Sequence, residues 1–573
     1  MNIWLYLLFF LPLIESIDHK IGLNLLLSAS IIINLPLLRK PKIVLSWIET
    51  LWLMILTIFS ISVIFSLSYS QSLLELNRYI AYFLIFLGIR SENNKVLIMK
   101  KFYIPMIIIN SIILSLIFIL RITPGIKLTV PYDDFNLMYY SYGHNNISDI
   151  LLFAIPLALS CLLESDFKIK LLKISLYFIS ILFIITFFLS LSRGAMLSLS
   201  FAFLISVFIY RKLTDKFNKW ILVISLISIL FLITNFISSN FIIPREIGLK
   251  FEKGLYKPAK KELRLEYIDQ AIKGFIKSPI FGTGLNTFIY VSQFYQSMPL
   301  SWSGYAHNHY LELFTETGVL GGLFFLALIV MGLYSSYLNV KNDHSSDITY
   351  KICIFIALLA SSLHSLLDPD WHFNSIYLFY WLGIALLLPG KKDTKDKNIL
   401  VSPIYVTIII LFSLKILIPL DVDKILRQAD QAYSNRNYDA AIAILLRASK
   451  LDRARKDIPV KLAKFYSTKG NYDSAHFWYK EAIKRDPFDS ELLIKDNYLL
   501  YLKQAKQVLD EGNSQLAVKY IDNAAAFYPF FENYKEDNTD VKRIKEYINK
   551  SVKNMLKKPI GQYELKIYTS FID

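Results

Sequence analysis

Cysteine is scarce in this sequence, and charged residues are few. The 573 residues include two cysteines, Cys161 and Cys353, and both lie inside apolar runs. This excludes a disulfide framework and a cysteine-ligated metal site, so we expect both side chains to pack in a core. Charged residues make up 19% of the chain and hydrophobic residues 54%, with a mean hydropathy of +0.42. A soluble protein does not need so many apolar residues, and the composition therefore predicts a polytopic membrane protein.

Several motifs of known chemistry are also absent. No pair of histidines has the HExxH spacing of a zinc protease. Gly282 and Gly284 resemble part of a nucleotide-binding loop, but the third glycine and the preceding strand are missing. The net charge is +16, yet the basic residues lie between apolar runs and in the tail, with no basic and aromatic groove. A nucleic acid is therefore not expected as a partner.

Long apolar runs, in contrast, are abundant. Each approaches the roughly 20 residues that a helix needs to cross a bilayer. Residues 1–14 lack the charged start and the small-residue cleavage site of a signal peptide, so we interpret them as the first span. Thirteen spans are predicted near residues 3–14, 21–38, 43–66, 72–89, 97–120, 148–163, 172–190, 194–210, 220–239, 311–338, 351–367, 374–389 and 400–420.

Lysine and arginine are distributed unequally over the connections between these spans. One alternate set of connections holds 20 of them, and the short loops of the other set hold 4, namely Lys20, Arg121, Lys127 and Arg193. The positive-inside rule places the first set, and with it the N-terminus, in the cytoplasm. The predicted outer face then carries the loop at 240–310, the turn around Arg193, the loop at 364–373 and everything after the last span.

The composition changes to that of soluble helices after residue 420. Residues 435–453 and 469–487 align at a spacing of 34, and residues 511–529 form a predicted third copy after an insertion of about eight residues. The aligned pairs are Tyr438 with Tyr472, Ala441 with Ala475, and Ala448 with Ala482. The pattern resembles the tetratricopeptide repeat, a stack of helix pairs that binds proteins or peptides. We therefore predict two domains, a membrane domain at 1–420 and a helical repeat domain at 421–573; an unrelated helical bundle is the alternative for the second.

Two features of the predicted outer face involve arginine. Arg193 lies between apolar runs that leave almost no loop, so its side chain either snorkels to water or meets an anion. Gly194 and the flanking serines favour a tight, buried turn. Residues 260–288 have apolar residues at helical spacing, which predicts an amphipathic helix at the membrane surface with Arg264 near its start. These apolar residues are Leu265, Ile268, Ile272, Phe275 and Ile276.

The third feature contains two histidines. His307 and His309 are two residues apart and would point in different directions from a helix, so a zinc site is not expected. His307 suits a general base, and an interfacial hydrogen-bonding histidine is the alternative. Glu312 and Glu316 are four residues apart on one helical face, where they could orient a base or cap the segment.

The fourth feature is the acidic loop at 364–373. Asp368 and Asp370 have the spacing with which some glycosyltransferases hold a divalent metal, whereas Pro369 between them also suits a simple turn. The loop begins at His364.

In their order, these four segments resemble the O-antigen ligase and polymerase superfamily of bacterial membrane glycosyltransferases. The segments are SRGA at 192–195, SPIFGTGLNTF at 278–288, HNHYLELFTETGVLGG at 307–322 and HSLLDPDWHF at 364–373. The resemblance covers residues 176–388. It implies an all-α fold of about twelve spans with a large outer loop, here with one further span that carries the repeat domain.

The resemblance also implies an activity in the inner membrane. A glycan moves from a polyprenyl-pyrophosphate donor to a hydroxyl of a lipid, glycan or protein acceptor at the outer leaflet, with no cofactor. One arginine of the SRGA turn and one of the large loop bind the donor phosphates, and the histidine of the HN motif is essential. By resemblance these residues are Arg193, Arg264 and His307, with Arg245, Lys260 and Lys261 as alternatives to Arg264. Supporting roles fall to His309, Glu312, Glu316, His364 and Asp368.

The chemistry of the donor agrees with these roles. Two guanidinium groups can stabilise the charge of a departing pyrophosphate, so we expect an inverting displacement without a metal. Ligation or polymerisation of a surface polysaccharide is the first candidate reaction, and protein O-glycosylation the second. A polysaccharide or lipid transporter is the alternative from another class, but it should contain two repeated halves with paired ionisable residues at mid-membrane. No duplicated half is visible, and the candidates Glu49, Glu75 and Arg78 are few.

Overall fold

A computed structural model gives the fold of the chain. It describes residues 3–39, 43–122, 144–164, 170–190, 192–209, 263–297, 301–389, 399–401, 409, 422–485 and 491–527. These residues are helical except for loops and one small antiparallel ribbon, in which strand β1 (Ile43–Leu45) pairs with strand β2 (Ile399–Val401). The prediction of an all-α membrane protein with a helical C-terminal region is confirmed.

Thirteen helices precede the repeat region within the described residues. Short helical turns lie at Ile3–Leu8, Leu35–Arg39, Lys95–Ile98, Met99–Tyr103 and Asp370–His372. The helices are α1 (Leu11–Ile17), α2 (His19–Asn34), α3 (Trp47–Ile64), α4 (Tyr69–Arg90), α5 (Ile104–Ile122), α6 (His144–Glu164), α7 (Lys170–Leu189), α8 (Arg193–Ile209), α9 (Arg264–Lys277), α10 (Phe288–Tyr295), α11 (His309–Lys341), α12 (Ile348–His364) and α13 (Asn374–Leu387).

Most predicted spans correspond to helices. Six described helices are long and apolar enough to cross a membrane, namely His19–Leu37, Trp47–Ile64, Tyr69–Arg90, Lys95–Leu120, Asn145–Leu163 and His309–Lys341. Five shorter apolar helices, Trp4–Ile17, Lys173–Leu189, Arg193–Val207, Ile348–His364 and Asn374–Leu387, coincide with five further predictions. The predicted span at 220–239 and most of that at 400–420 lie outside the described residues. The predicted starts at 43 and 400 are wrong, because both positions belong to the strands.

The chain divides into two compact units. The first comprises Met1–Ile61, Leu74–Glu262 and Tyr305–Ile418, and the second comprises Ser62–Leu73, Leu263–Gly304 and Pro419–Asp573. The apolar helices therefore belong mainly to the first unit. The second unit combines the repeat region with two segments from the N-terminal part of the sequence.

Buried charges hold the loop at 364–373 in the first unit. Arg78 is 2% exposed, and its Nη1 donates to the carbonyl oxygens of Trp371 at 3.0 Å and His372 at 2.7 Å. Its Nε donates to Glu75 at 3.0 Å, and its guanidinium lies over three tyrosine rings. Glu15, also buried, accepts from the backbone N–H groups of the first two residues of α13. Two residues of the N-terminal helices thus fix the loop and the helix that follows it.

A glycine breaks helix α11 near its start. Gly318 has φ 73° and ψ −174°, which is outside helical geometry and is accessible to a residue without a Cβ. The break separates the first turns of α11, which carry His309, Glu312 and Glu316, from the part long enough to cross the membrane.

The described repeat region consists of three helix pairs. They are α14 (Val422–Ser434) with α15 (Tyr438–Leu451), α16 (Asp457–Thr468) with α17 (Tyr472–Arg485), and α18 (Glu491–Asp510) with α19 (Ser514–Phe527). Each aligned sequence copy contains the second helix of one pair. The predicted third copy therefore also belongs to a helix pair. The six small residues that pack these helices have no exposed surface: Ala441, Ala448, Ala475, Ala482, Ala517 and Ala524.

The turn inside each pair has the same construction. A residue with positive φ comes first, namely Arg436, Gly470 or Gly512. An asparagine follows and accepts from a backbone N–H three residues later, which caps the second helix. These asparagines are Asn437, Asn471 and Asn513. The repetition of a backbone conformation together with its cap supports the tetratricopeptide interpretation at atomic level.

The repeat region is hydrogen-bonded to the turn between α3 and α4 in the second unit. Asp452 has no exposed surface, and its carboxylate accepts from the hydroxyls of Ser68 and Ser70. The backbone N–H of Ala454 donates to the carbonyl of Leu67 at 3.1 Å. A buried carboxylate that accepts hydrogen bonds from two hydroxyls therefore connects the repeat region with the turn between α3 and α4.

Replacement of Arg78 should destabilise the first unit. Arg78→Met would leave the Glu75 carboxylate and two backbone carbonyls buried without their donor, a loss of about 3–5 kcal/mol. Thermal unfolding of the purified protein in detergent would measure it. Lys273→Met, which removes a surface pair with Asp269, is the control and should cost less than about 1 kcal/mol. Equal melting temperatures for the two variants would contradict the anchoring role of Arg78.

Replacement of Asp452 should loosen the repeat region. Asp452→Ala leaves two hydroxyls without their acceptor, at a cost of about 1–3 kcal/mol. Limited proteolysis should then cut faster within residues 422–485. Asp439→Ala is the control, because Asp439 pairs with Lys469 at the surface. If both variants resist the protease as the wild type does, the contact with the serines contributes nothing to the stability of this region.

Candidate active site

His307 lies in a strained backbone conformation just before helix α11. Its φ is +52°, in the left-handed region that is uncommon for residues other than glycine, although asparagine, aspartate and histidine adopt it more often than the rest. Asn308 is the N-cap of α11 and accepts from the backbone N–H of Leu311 at 3.0 Å, so the HN motif forms the entrance to the helix. The His307 side chain is 27% exposed. Such strain in a partly exposed residue is typical of functional sites.

A buried aspartate orients the ring of His307. Nδ1 lies 3.0 Å from Oδ1 of Asp368, which is 1% exposed. An ionised carboxylate only accepts hydrogen bonds, so Nδ1 carries the hydrogen and Nε2 is the nitrogen with the lone pair. This histidine–aspartate pair is the arrangement that prepares an imidazole to accept a proton at Nε2.

Glu312 fixes the backbone beside His307 from the other side. Its Oε2 accepts from the backbone N–H of Ala306 at 2.7 Å, and its Oε1 lies 2.6 Å from Nε2 of His372. Burial, together with the nearby charge of Arg78, lowers the pKa of His372 to about 3. His372 is therefore a neutral imidazole whose Nε2 lies close to the Glu312 carboxylate. Glu316 is also buried, one turn further along α11.

The side chain of His309 has a different environment from that of His307. It is 1% exposed, and its ring packs edge-on against Trp371 at 5.4 Å and Phe325 at 5.8 Å between centroids. Its backbone N–H donates to the carbonyl of Ser365 at 2.9 Å. The two histidines of the motif therefore have different partners, and His309 contributes to the packing beneath the acidic loop.

His364, at the end of α12, lies among three carboxylates. Its Nδ1 is 2.7 Å from Oδ2 of Asp370 and 3.5 Å from Oδ1 of Asp149, and its Nε2 is 3.7 Å from Oδ2 of Asp368. Asn146 donates to the second oxygen of Asp370 at 2.9 Å. Both aspartates thus lie close to His364, while Asp368 also contacts His307 and Asp370 also contacts Asn146. Among the described residues, Asp149, His364 and Asp370 are the group whose ligand atoms could surround a metal ion.

Gly194 of the SRGA turn lies close to His364, the first residue of the acidic loop. A Cβ at Gly194 would lie 3.2 Å from Nε2 of His364, so the absence of a side chain allows this approach. Ser190 and Ser192 are buried, and Ser190 accepts from the hydroxyl of Ser148 at 2.6 Å. Arg193 begins α8 with an exposed side chain, although the sequence favoured a buried turn. The serines of the turn are therefore buried, whereas the side chain of Arg193 is exposed.

Arg264 belongs to the second unit, where it is the half-buried first residue of α9. One face of α9 is polar: Glu266 accepts from Ser297 and Ser301, and Gln270 donates to the carbonyl of Ser301 at 3.0 Å. Burial raises the pKa of Glu266, but these hydrogen bonds outweigh it and leave the pKa below its usual value. The other face exposes Leu265, Ile272 and Ile276. The helix is therefore amphipathic, as predicted, while Arg245, Lys260 and Lys261 lie outside the described residues.

Sequence reasoning missed several residues around His307. Asp149 and Asn146 were not considered, and Arg78, Glu75 and His372 were not connected with the site. One signal was present for Asp149, because a carboxylate inside an apolar run such as ISDILLF is rare without a functional or structural partner.

Comparison with known families gives two matches. Residues 178–326 match the family model of the O-antigen ligase, a range that contains Arg193, Arg264 and His307, and residues 460–489 match the tetratricopeptide repeat. His364 and Asp368 lie beyond the first match. No curated protein matches the chain. Residues 178–326 of the membrane region are therefore similar to the O-antigen ligase family, and residues 460–489 of the C-terminal region are similar to the tetratricopeptide repeat.

Proposed function

We propose that this protein transfers a glycan from a polyprenyl-pyrophosphate donor to an acceptor hydroxyl at the outer face of the cytoplasmic membrane. The pairing of Asp368 with His307, which lies within the residues that match the O-antigen ligase family model, carries this proposal. The reaction completes the assembly of a surface polysaccharide by ligation or polymerisation.

His307 acts as the general base in this reaction. Nε2 takes the proton of the acceptor hydroxyl while the hydroxyl oxygen attacks the anomeric carbon. The bond from that carbon to the phosphate oxygen breaks, and the polyprenyl pyrophosphate leaves from the opposite face, which inverts the configuration. Asp368 holds the tautomer and stabilises the imidazolium that forms.

Arginines bind the leaving group. A departing pyrophosphate carries several negative charges, and a guanidinium remains ionised and offers fixed donors to phosphate oxygens. The exposed side chain of Arg193 begins α8 next to the glycine that contacts His364. Arg264 is assigned to the same role by resemblance.

The composition of the second unit supports the proposed orientation. It joins residues 62–73, 263–304 and the repeat region. The distribution of lysine and arginine places each of these segments on the outer face, so their association in one unit agrees with the topology. The repeat region is then available on that face for a protein partner or a protein acceptor.

The acceptor distinguishes three related reactions. Analysis of surface glycans after deletion of the protein, with complementation by wild type or His307→Ala, separates them. Lipid-linked single repeats would indicate a polymerase, long unattached chains a ligase, and an unglycosylated protein an O-oligosaccharyltransferase. The transporter alternative is weakened by the pairing of Glu75 with Arg78 and of Glu49 with Arg90, which gives these intramembrane charges structural partners.

The His307 variants test the catalytic assignment. His307→Ala should reduce kcat for glycan transfer by a factor of about 10²–10⁴ with little change in KM, because only proton removal is lost. Asp368→Asn should have a smaller effect on the same parameter. The assay uses purified protein in detergent with a polyprenyl-pyrophosphate glycan. His344→Ala changes an exposed histidine in the turn after α11 and serves as control. A protein that, reconstituted in lipid vesicles, moves the lipid between leaflets without consuming it would contradict the enzymatic proposal.

Chelation tests the expected independence from metals. Because two arginines can supply the positive charge at the pyrophosphate, transfer should proceed unchanged in the presence of EDTA. The measurement compares initial rates before and after chelation and after addition of Mg²⁺ or Mn²⁺. A rate that falls with EDTA and returns with a metal would contradict the arginine mechanism and would place the ion at Asp149, His364 and Asp370.

A further inference from the structure

We propose that the repeat region holds the loop segment at residues 263–297 in position, and that four serines of the turn between α3 and α4 form the contact between them. The loop segment contains Arg264, α9 and α10. The inference rests on the proposed function for the role of Arg264 in binding the donor. It makes Asp452 and the serines positioning residues of the reaction, because they act through the loop segment.

The four serines alternate along the turn and bond in two directions. Ser72 donates to the carbonyl of Leu285 in the loop segment at 2.7 Å, and the hydroxyls of Ser66 and Ser72 are 2.6 Å apart. Ser68 and Ser70 donate to the carboxylate of Asp452 in the repeat region. One pair of serines therefore binds the loop segment, and the other pair binds the repeats.

The backbone of Leu67, between these serines, makes the same two connections. Its N–H donates to the carbonyl of Thr283 at 2.8 Å, and its carbonyl accepts from the N–H of Ala454 at 3.1 Å. Ser68 and Asp452 also form an isolated antiparallel bridge. The turn is thus hydrogen-bonded to both partners through its backbone as well as through its side chains.

Gly284 allows the loop segment to approach the turn. Its φ is +102°, and a Cβ at this position would lie 2.0 Å from Oγ of Ser66. A residue with a side chain would be strained in this conformation and would displace Ser66. The glycine of this segment therefore has a packing role that its resemblance to a nucleotide-binding loop did not indicate.

Tyr290 of α10 connects the loop segment with the repeat region directly. Its side chain lies beside Ser68 and Asp452, and burial, together with the charge of Asp452, raises its pKa to about 12. Arg455 and Asp457 of the repeat region also act on this phenol. The repeats therefore reach α10 itself as well as the turn.

Hydrogen bonds between α10 and α9 extend this contact towards Arg264. Ser292 of α10 donates to Gln270 of α9 at 2.5 Å, and Ser297, just after α10, donates to Glu266 at 2.8 Å. Arg264 is the first residue of α9, two positions before Glu266. The position of Arg264 therefore depends on α10, and through α10 on the serines and Asp452.

Hydrogen exchange measured by mass spectrometry tests this coupling without any substrate. In Asp452→Ala, amides within residues 278–297 should exchange about tenfold faster than in wild type, while those of α11 to α13 keep their rates. Ser70→Ala removes one of the two hydroxyls that Asp452 accepts, and it should cause a smaller increase in the same peptides. Asp439→Ala, which changes a surface pair of the repeats, is the control and should change nothing at 278–297.

Two results of this measurement would overturn the proposal. One is an unchanged exchange rate at residues 278–297 in both Asp452→Ala and Ser70→Ala. The other is an equal acceleration in all parts of the chain, which would show a general loss of stability.

Gly284→Ala tests the same contact from the side of the loop segment. The added Cβ displaces Ser66, so amides within residues 278–297 should again exchange faster. Gly512→Ala is the matched control, because Gly512 also has a positive φ, 87°, and a Cβ there would meet no neighbouring atom within 4 Å. Equal effects of the two variants on these amides would contradict the proposed contact.

The kinetics of glycan transfer test the positioning role. Asp452→Ala should raise the KM for the donor by about threefold to tenfold and leave the KM for the acceptor unchanged, because the loop segment is assigned to the donor. An unchanged donor KM in a protein whose loop segment exchanges faster would overturn this role. If the exchange rates change as expected but wild type transfers no glycan, the proposed function fails and the coupling of the repeats with the loop segment stands.

Discussion

A charged side chain inside an apolar bundle needs a partner, and the site described above depends on that requirement. Arg78 satisfies the carboxylate of Glu75 and two backbone carbonyls of the loop at 364–373, so one guanidinium sets the position of the loop. From this loop, Asp368 reaches His307, and His372 reaches the glutamate that holds the backbone before it. The geometry of His307 therefore depends on the ion pair and hydrogen bonds of Arg78, which lies more than two hundred positions earlier in the sequence.

Burial and periodic spacing explain which features the sequence could predict. Hydropathy located eleven of the thirteen predicted spans on described helices, because burial in lipid constrains every residue of a span. The small residues of the repeats were visible because their spacing is periodic, and each of the six lies fully buried. The motifs predicted the similarity to the O-antigen ligase that the family comparison found, and three of the four lie within the matched residues.

Pairings between distant residues were not accessible in this way. Nothing local in the sequence shows that Asp368 contacts His307 while Asp370 contacts Asn146, since the two aspartates are two residues apart and look equivalent. The direction of each depends on φ and ψ in a loop that other helices hold. Glu15 illustrates the same limit, because its hydrogen bonds to the start of α13 join residues 359 and 360 positions apart. For Arg193 the sequence left two environments open, and the structure has its side chain exposed while the serines around it are buried.

The contact of Asp452 with Ser68 and Ser70 affects how removal of the repeat region should be interpreted. A chain shortened after the last predicted span would lose the repeats and also the acceptor for two hydroxyls of the turn between α3 and α4. Any defect of such a shortened protein would combine an absent binding partner with an altered turn. Substitutions on the outer surface of the repeats, which leave Asp452 in place, separate recruitment from architecture.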